Sequence, residues 1–444
     1  MPKNAVVAQS GGPTAVINNS VRGAIDVFME SDEVDKVYGA QMGILGVLRN
    51  ELIDISAQDP REVSRLQGTP SAGAIGSCRY KLADKSTGQP YEEDYERIID
   101  VFRAHNVGYF LYAGGNDSMD TANRINQLAQ EKGLDLKANG IVKTVDNDVG
   151  GGLKDDGTFA ICDHDPGYGS TARFWATNVL EANQENKASH TSDPVLVLQA
   201  MGRKVGFITA SAKLADPEGN MPLLIVVPEA LGNDPQENLD FITEHVNEKL
   251  KQAGRCIVAL TEGANLGDVG VLRDSFGHAQ FSASRRFAGQ LLINHLNGID
   301  RTDSQGRAQS RLCVPGIARL DVPGTGQRRD SSTISTTDVA EAYEVGGHSA
   351  KLALGGEGGV MGTIVRQPGD RYSVTYDKVA LEKVANAERK FPEEWIVSGE
   401  LDITQDFVEW ARPLIGGKLP RFTRFEPRYA DDAGLGEYTP QAYR

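Results

Sequence analysis

Two carboxylates and a lysine stand close together within the segment Ile141 to Gly152, which reads I-V-K-T-V-D-N-D-V-G-G-G. Asp146 and Asp148 lie two positions apart, so in an extended segment their side chains point to the same side. Lys143 stands just upstream of them. This combination is suited to catalysis by a carboxylate pair or to holding a metal ion.

The same letters are also typical of structures without any chemistry. An ordinary Asx-rich turn uses D-N-D-x-G-G in this way, and the residues alone leave that alternative open. A calcium loop of the EF-hand kind is excluded, because its twelfth position needs Glu and is Gly157 here. The apolar residues before Lys143 predict a strand, and ligands bind at the carboxyl ends of strands in open α/β sheets.

Two glycine-rich loops are candidates for binding an anion. Gly11 and Gly12 follow a short apolar run and precede a helical pattern, an arrangement that points backbone N–H groups at an anion. A plain βα turn is the alternative, since neither G-x-G-x-x-G nor G-K-[ST] is present there. The loop from Gln67 to Tyr80 places Arg79 among small residues, which would let the backbone approach a ligand closely. Arg79 is therefore predicted either to contact a phosphate or to be a solvated surface residue.

A third segment, Val107 to Ser118 (V-G-Y-F-L-Y-A-G-G-N-D-S), repeats the order of strand, glycines and helix. Asp117 or Ser118 is predicted to cap that helix at its N-terminus. The alternative interpretation of Asp117 is a carboxylate that recruits Mg²⁺ to a phosphate site.

Composition limits the classes of function. A chain of 444 residues is too long for one compact core, which predicts two α/β domains. The net charge of −15 argues against binding nucleic acid or an anionic membrane, because both require a basic field. An anionic small substrate requires that a few basic side chains converge locally.

The cysteines and the termini predict a cytoplasmic protein. The cysteines have no C-x-x-C spacing and are predicted to be buried thiols in a reducing compartment. The N-terminal segment shows no targeting pattern, and no apolar run reaches membrane-spanning length. Near the other end, Trp395, Trp410 and the run Phe422 to Tyr429 predict a packed tail.

A second series of strands follows the first, with polar or charged residues at the strand ends. The predicted strands are Val195 to Leu198, which leads into Met201-Gly202-Arg203, Leu223 to Val227, and Cys256 to Leu260, which leads into Glu262. Because apolar strands alternate with helical patterns, the fold class predicted is α/β with doubly wound parallel sheets.

In this order the motifs resemble the phosphofructokinase family over about residues 4–365. The matching segments are S-G-G-P-T-A-V-I-N, G-S-C-R-Y-K, A-G-G-N-D-S, K-T-V-D-N-D, M-G-R-K-V-G, V-P-E, E-G-A and P-G-T-G-Q-R. The resemblance implies two doubly wound, Rossmann-like domains with an active-site cleft between them. The donor domain is expected at 1–157 with about 328–385, the sugar-phosphate domain at 158–327, and an extension of unknown role at about 386–444.

Carried over by position, the resemblance implies a role for each matching residue in Mg²⁺-dependent phosphoryl transfer to fructose 6-phosphate, a reaction of glycolysis. Asp146 would be the general base for the sugar 1-hydroxyl, with Asp148 supporting both this base and the metal. Mg²⁺ would be held by Asn116 or Asp117. The donor would meet Gly11, Gly12 and Arg79. The sugar phosphate would meet Thr144, Val145, Met201, Gly202, Arg203, Glu262, Arg319, Thr325, Gly326, Gln327 and Arg328.

Two positions bear on the phosphoryl donor. ATP-using relatives have glycine where this chain has Asp117 and Lys143, whereas pyrophosphate-using relatives resemble this chain at both positions. The resemblance therefore implies that the donor is pyrophosphate and that the enzyme is a homodimer or homotetramer. The alternatives are an ATP-dependent phosphofructokinase and a non-catalytic copy that senses sugar phosphates. Pro194 replaces a basic residue of many relatives, which leaves room for sedoheptulose 7-phosphate as acceptor.

Overall fold

The structure is a computed structural model that describes residues 2–83, 87–273, 279–385, 388–426, 428–431 and 433–440. Within that part of the chain the strands form a seven-stranded sheet, a four-stranded sheet and a two-stranded ribbon. No helix in the described ranges is both long enough and apolar enough to cross a membrane.

The strands are β1 (Lys3–Gln9), β2 (Val34–Ala40), β3 (Leu52–Asp54), β4 (Val107–Gly114), β5 (Lys137–Val142), β6 (Val195–Ala200), β7 (Leu223–Val226), β8 (Cys256–Thr261), β9 (Leu272–Arg273), β10 (Ala279–Gln280), β11 (Ala318–Asp321), β12 (Val360–Arg366) and β13 (Val374–Ala380). The α-helices are α1 (Ile17–Met29), α2 (Ile44–Arg49), α3 (Pro60–Ser64), α4 (Glu92–Ala104), α5 (Asn116–Glu131), α6 (Tyr168–Ser189), α7 (Phe207–Ala210), α8 (Pro235–Ala253), α9 (Ala288–Leu296), α10 (Thr336–Leu354) and α11 (Gln405–Ala411). Short 3₁₀ helices span Arg65–Gly68, Ser211–Ala215, Pro228–Ala230, Phe281–Ala283, Gly324–Arg328, Leu381–Lys383, Glu393–Trp395 and Arg412–Ile415.

The seven-stranded sheet has the strand order β13-β12-β5-β4-β1-β2-β3. Its five inner strands are parallel, and β3 and β13 pair antiparallel at the two edges. Gln9 of β1 pairs with Ala113 of β4, and Gly114 of β4 pairs with Val142 of β5. Because the three strands end in register, the loops after them emerge side by side at one edge of the sheet.

The four-stranded sheet is parallel throughout, in the order β11-β6-β8-β7. Ala200 at the end of β6 pairs with Thr261 at the end of β8. The register therefore brings the residues that follow, Met201 and Glu262, to the same edge of this second sheet.

Helix α10 returns the chain to the first sheet by packing against α1. The two helices approach so closely that a Cβ atom at Gly23 would lie 1.9 Å from the carbonyl oxygen of Tyr343. A Cβ atom at Gly346 would lie 1.9 Å from the carbonyl oxygen of Ser20. Glycine at both positions permits this crossing, after which β12 and β13 extend the first sheet.

The C-terminal segment packs on the body of the protein only in part. Trp395 and Trp410 are buried in an aromatic cluster together with Phe159 and Phe207, as the sequence predicts. The prediction is wrong for the run Phe422 to Tyr429, because its described aromatic side chains are exposed to solvent.

Candidate active site

A cleft of about 430 Å³ lies where the carboxyl-end loops of the two sheets meet, a size usual for a small-molecule site. The lining includes loops after β1, β4, β5, β6 and β8. The residues that line it are Gly11, Gly12, Pro13, Arg79, Lys81, Gly115, Asn116, Asp117, Ser118, Lys143, Thr144, Val145, Asp146, Asp148, Met201, Arg203, Glu262, Ala279, Gln280, Phe281, Arg328 and Glu388.

The loop after β5 holds the two carboxylates in a tight turn. Asn147 adopts a left-handed backbone conformation (φ 58°), which asparagine tolerates better than most residues. Its side-chain oxygen accepts a hydrogen bond from the backbone N–H of Asp165 over 2.9 Å. The Asp165 carboxylate in turn accepts a hydrogen bond from the backbone N–H of Val149 over 3.0 Å. These bonds tie the turn to the segment that enters α6, so Asp146 and Asp148 project from a fixed loop.

The two carboxylates share one guanidinium group. Nη2 of Arg203 lies 3.3 Å from a carboxylate oxygen of Asp146 and 3.5 Å from one of Asp148. Burial, and then the neighbouring charge of Asp146, raise the pKa of Asp148 to about 6. Burial and the charge of Asp146 also raise the pKa of Glu262 to about 7. The acidic side of the cleft therefore carries less negative charge than its composition suggests.

The sequence M-G-R positions Arg203 through an unusual backbone. Gly202 has a φ of 119° and Arg203 a φ of 47°, conformations that cluster at functional sites. A Cβ atom at Gly263 would lie 1.5 Å from the carbonyl oxygen of Arg203, so this position in E-G-A needs glycine. The close approach of these two loops places the guanidinium against the carboxylate pair.

Three cations converge on the opposite side of the cleft. Lys143 is buried, with 4% of its surface exposed, and its Nζ atom donates a hydrogen bond to the carbonyl oxygen of Gly12 over 2.7 Å. Burial, and then the charges of Arg79 and Arg328, lower the pKa of Lys143 to about 7. A Cβ atom at Gly12 would lie 2.8 Å from Nη1 of Arg328 and 3.0 Å from Nη2 of Arg79. Three positive charges held this close together repel one another, which indicates a site built for an anion.

Helix α5 begins two or three residues earlier than the sequence predicts. Gly115 is the N-cap residue and makes no side-chain hydrogen bond, so the prediction that Asp117 or Ser118 caps the helix is wrong. Asn116 and Asp117 instead occupy its first turn, where the helix dipole favours negative charge. One carboxylate oxygen of Asp117 lies 3.4 Å from Nζ of Lys81. The helix start therefore faces the cleft.

The residues expected to meet Mg²⁺ include an oxygen atom with no other role. Oδ1 of Asn116 is buried and has no hydrogen-bond partner, while its Nδ2 lies 3.5 Å from the carbonyl oxygen of Asp148. No group of three or more acidic, histidine or cysteine side chains in the described ranges forms a metal site by itself. Mg²⁺ usually takes only one or two protein carboxylates together with substrate phosphates and water, so this donor set fits it.

Most of the predicted site residues lie together in the cleft. They are Gly11, Gly12, Arg79, Asn116, Asp117, Lys143, Thr144, Val145, Asp146, Asp148, Met201, Arg203, Glu262 and Arg328. Gly202 lies between two of them. Gln327 is buried behind the cleft, where its side-chain oxygen accepts hydrogen bonds from the backbone of Met201 over 3.1 Å and from Trp175 over 2.5 Å. Its place is therefore that of a support for Met201.

Arg319 does not lie in the cleft with the other predicted residues. Its side chain is 61% exposed on β11, and its Nε atom pairs with the carboxylate of Asp193 over 3.0 Å. Thr325 and Gly326 are also absent from the lining. A substrate contact by these three residues stays a prediction from the family resemblance.

Several lining residues were missed by reasoning from sequence. Lys81 follows Arg79 by two positions in a motif that was singled out, so its place could have been inferred. Gln280 and Phe281 come from a segment without a motif. Glu388 comes from the C-terminal segment, where no pattern pointed to a site.

Two doubly wound sheets with a cation cluster and a carboxylate pair in their common cleft define an α/β protein whose cleft is suited to phosphorylated small molecules. A family model described as phosphofructokinase matches residues 4–316. The chain belongs to the phosphofructokinase family, which confirms the resemblance and the fold class predicted from sequence.

The similar proteins extend over nearly the whole chain. The pyrophosphate–fructose 6-phosphate 1-phosphotransferase of Halomonas elongata is 36% identical over 96% of this chain and 95% of its own. The crystal structure of a pyrophosphate-dependent phosphofructokinase from Marinobacter aquaeolei is 35% identical, with a TM-score of 0.75 over 99% of this chain and 98% of that chain. Another from Nitrosospira multiformis is 32% identical, with a TM-score of 0.77 over 99% of both chains.

Proposed function

We propose that this protein transfers a phosphoryl group from pyrophosphate to the 1-hydroxyl of fructose 6-phosphate, giving fructose 1,6-bisphosphate and phosphate in a reversible reaction. The observation that carries the proposal is the position of the Lys143 ammonium, buried between Gly12 and the carboxylate loop. The names of two relatives that are 36% identical over 96% and 94% of this chain support the same donor and acceptor.

The donor would occupy the cationic side of the cleft. Pyrophosphate is a compact polyanion, and Lys143, Arg79 and Arg328 offer fixed positive charge to its oxygens. An anion there would raise the pKa of Lys143 above its value in the free protein, because the charged ammonium gains a partner. Positive charge aimed at the transferring phosphoryl group is the main way in which proteins accelerate this reaction.

The acceptor would enter from the second sheet, with its 1-hydroxyl directed at Asp146. A carboxylate in hydrogen-bond reach of that hydroxyl can take its proton as the oxygen attacks phosphorus. Arg203 holds Asp146 in place, and Asp148 lies next to it, with its pKa raised to about 6 by burial and by the charge of Asp146. Arg328 also lines the cleft, where it could bind the phosphate of the sugar or the donor.

Mg²⁺ would be held by Asn116 and Asp117 together with oxygens of the donor. When bound, the ion neutralises charge on the phosphate oxygens and orients them for transfer. The unpartnered Oδ1 atom of Asn116 supports its place beside the donor.

The donor choice rests on Asp117 as well as on Lys143. A carboxylate in the first turn of α5 would repel the α-phosphate of ATP, whereas pyrophosphate has no third phosphate to meet it. ATP-dependent transfer to the same sugar is the second candidate, since an ATP-dependent 6-phosphofructokinase is 25% identical over 71% of this chain. A homodimer or homotetramer remains a prediction from the family resemblance.

The test is phosphorylation of fructose 6-phosphate with pyrophosphate or ATP as donor, measured in parallel with Mg²⁺ present. We expect turnover with pyrophosphate and little with ATP. Turnover with ATP but not with pyrophosphate would reject pyrophosphate as the donor. Turnover with neither donor would favour a sugar-phosphate-sensing protein. Sedoheptulose 7-phosphate, tested in the same assay, measures the breadth of the acceptor site.

A further inference from the structure

Arg389 lies in the C-terminal segment, outside the residues that the family model matches. Its side chain is nevertheless among the largest fully buried in the described chain, with 1% of its surface exposed. A guanidinium group is costly to bury, because it loses its hydration and must find hydrogen-bond acceptors inside the protein. The acceptors of Arg389 therefore indicate what it does.

The acceptors are backbone carbonyl oxygens of the loop that follows Asp146 and of the segment that leads into α6. Nη2 of Arg389 donates a hydrogen bond to the carbonyl oxygen of Val149 over 2.8 Å and also bonds that of Cys162. Nη1 donates to the carbonyl oxygen of Asp163 over 2.9 Å. The guanidinium carbon lies 4.4 Å from the centre of the Phe159 ring, a cation–π contact.

The backbone of Arg389 holds the same loop. Its N–H donates a hydrogen bond to the carbonyl oxygen of Asp148 over 2.8 Å. Arg389 thus bonds the carbonyl oxygens of two consecutive residues, Asp148 and Val149. The N–H of Val149 is held separately by Asp165. The half of the loop that follows Asp146 is therefore fixed from both sides.

The glycines of the loop are matched to this arginine. Gly150 has a φ of 120°, and a Cβ atom there would lie 2.5 Å from Nη2 of Arg389. A side chain at this position would displace the guanidinium group, so glycine permits the contact. Glu388, the residue directly before Arg389, lines the cleft, which brings the C-terminal segment to the edge of the site.

We propose that Arg389 is a positioning residue for the reaction, which holds Asp146 and Asp148 in their working geometry through the carbonyl groups of the loop. The inference rests on the proposed function, because its effect is defined by that reaction. Arg389 lies behind the loop and is not part of the cleft lining. Its loss should lower the rate of the chemical step more than it weakens substrate binding.

The test is Arg389→Met, which keeps an unbranched side chain as far as the position of Nε and removes the guanidinium donors. Displacement of a catalytic group by about 1 Å costs on the order of 100-fold in rate, so we expect kcat to fall by about that factor. The KM and the calorimetric Kd for fructose 6-phosphate should change by less than about threefold, since the cations of the cleft are untouched.

Arg366→Met is the matched control. Arg366 also joins the C-terminal segment to the same region, through hydrogen bonds to the carboxylate of Asp163 over 3.0 Å and to the carbonyl oxygen of Trp410 over 2.9 Å. Within the described part of the chain, Arg366 makes no hydrogen bond to the loop from Asp146 to Gly150. Its loss should lower the melting temperature while kcat stays within about twofold of the wild type.

Arg389→Lys is the conservative variant, because an ammonium group can reach one of the carbonyl oxygens and not all of them. We expect its kcat to lie between those of the wild type and Arg389→Met. If Arg389→Met does not fold, the kcat of Arg389→Lys tests the proposal instead. Equal loss of kcat in Arg366→Met and Arg389→Met, or unchanged kcat in a folded Arg389 variant, would overturn the positioning role. No pyrophosphate-dependent turnover in the wild type would instead reject the proposed function.

Discussion

The Nζ atom of Lys143 bonds the carbonyl oxygen of Gly12 over 2.7 Å, and this bond joins two strands that are not neighbours. Lys143 follows β5 and Gly12 follows β1, with β4 between them in the sheet. The ammonium group therefore spans the end of β4, where α5 begins with Asn116 and Asp117. One lysine thus fixes a positive charge among three of the loops that are proposed to hold the donor.

We predict that Lys143→Met lowers kcat/KM for pyrophosphate by about 100- to 1,000-fold, the usual effect of removing one group that stabilises the charge of a transition state. Steady-state kinetics at saturating fructose 6-phosphate measures it. Lys137→Met is the control, because Lys137 lies on the same strand, pairs with Asp135 and is not part of the cleft lining. A similar loss in both variants would show that the effect is not local to the cleft.

The pH profile of kcat/KM should show a narrow optimum. The pKa of Asp148 is about 6, so activity should rise as this carboxyl loses its proton. The pKa of Lys143 is about 7, so activity should fall as the ammonium loses its proton at higher pH. Profiles of kcat/KM report groups of the free enzyme. Lys143→Met should lack the alkaline limb, and an unchanged limb would assign it to another group.

Asp146→Ser should reduce kcat by about 100- to 10,000-fold, the range that a general base contributes. Binding of fructose 6-phosphate, measured by calorimetry, should change little, because the cations that meet its phosphate remain. Asp156→Ser, at an exposed carboxylate bonded to Thr158, is the control. Turnover of Asp146→Ser at the wild-type rate would remove this residue from the mechanism.

The double variant Asp117→Gly, Lys143→Gly should change the preference between donors. Removing the carboxylate relieves its repulsion of ATP, and removing the lysine weakens the binding of pyrophosphate. The ratio of kcat/KM for ATP to kcat/KM for pyrophosphate should therefore rise by at least about tenfold. The measurement is the parallel donor assay. Lower activity with both donors and an unchanged ratio would contradict the role of these two residues in donor choice.

A buried ionic network should make stability depend on pH in the alkaline range. His164 lies 2.9 Å from the carboxylate of Asp163 and 2.8 Å from that of Glu341. Burial opposes its charge, but the two carboxylates outweigh burial and raise its pKa to about 10. Because the unfolded value is about 6.5, the stabilisation is complete below that pH and is lost as pH rises towards 10.

Thermal melting from pH 6 to 10 therefore should show a falling melting temperature for the wild type, with His164→Gln as the comparison. Glutamine cannot carry the charge, so this variant should be less stable at pH 6 and should lose less stability as pH rises. If the melting temperatures of the two proteins fall in parallel as pH rises, His164 is not the cause of the pH dependence of stability.

Local patterns in the sequence determined much of the fold and of the cleft. Apolar runs that end in glycine and polar residues predict parallel strands, and parallel strands carry the residues after them to one edge. Gly12, Asp117 and Lys143 each follow such a run, the family resemblance implies that they share the donor site, and they line one cleft. The same reasoning was wrong about the cap of α5, because Gly115 adopts the capping conformation without a side-chain partner.

Only the tertiary structure decided how these groups are charged and held. The pKa of Lys143 depends on burial and on Arg79 and Arg328, which come from distant parts of the chain. Arg389 reaches Val149 across 240 positions of sequence. A local pattern reports the periodicity of one segment and its turns, whereas a contact between remote segments depends on how whole elements pack, and no short run of residues records it.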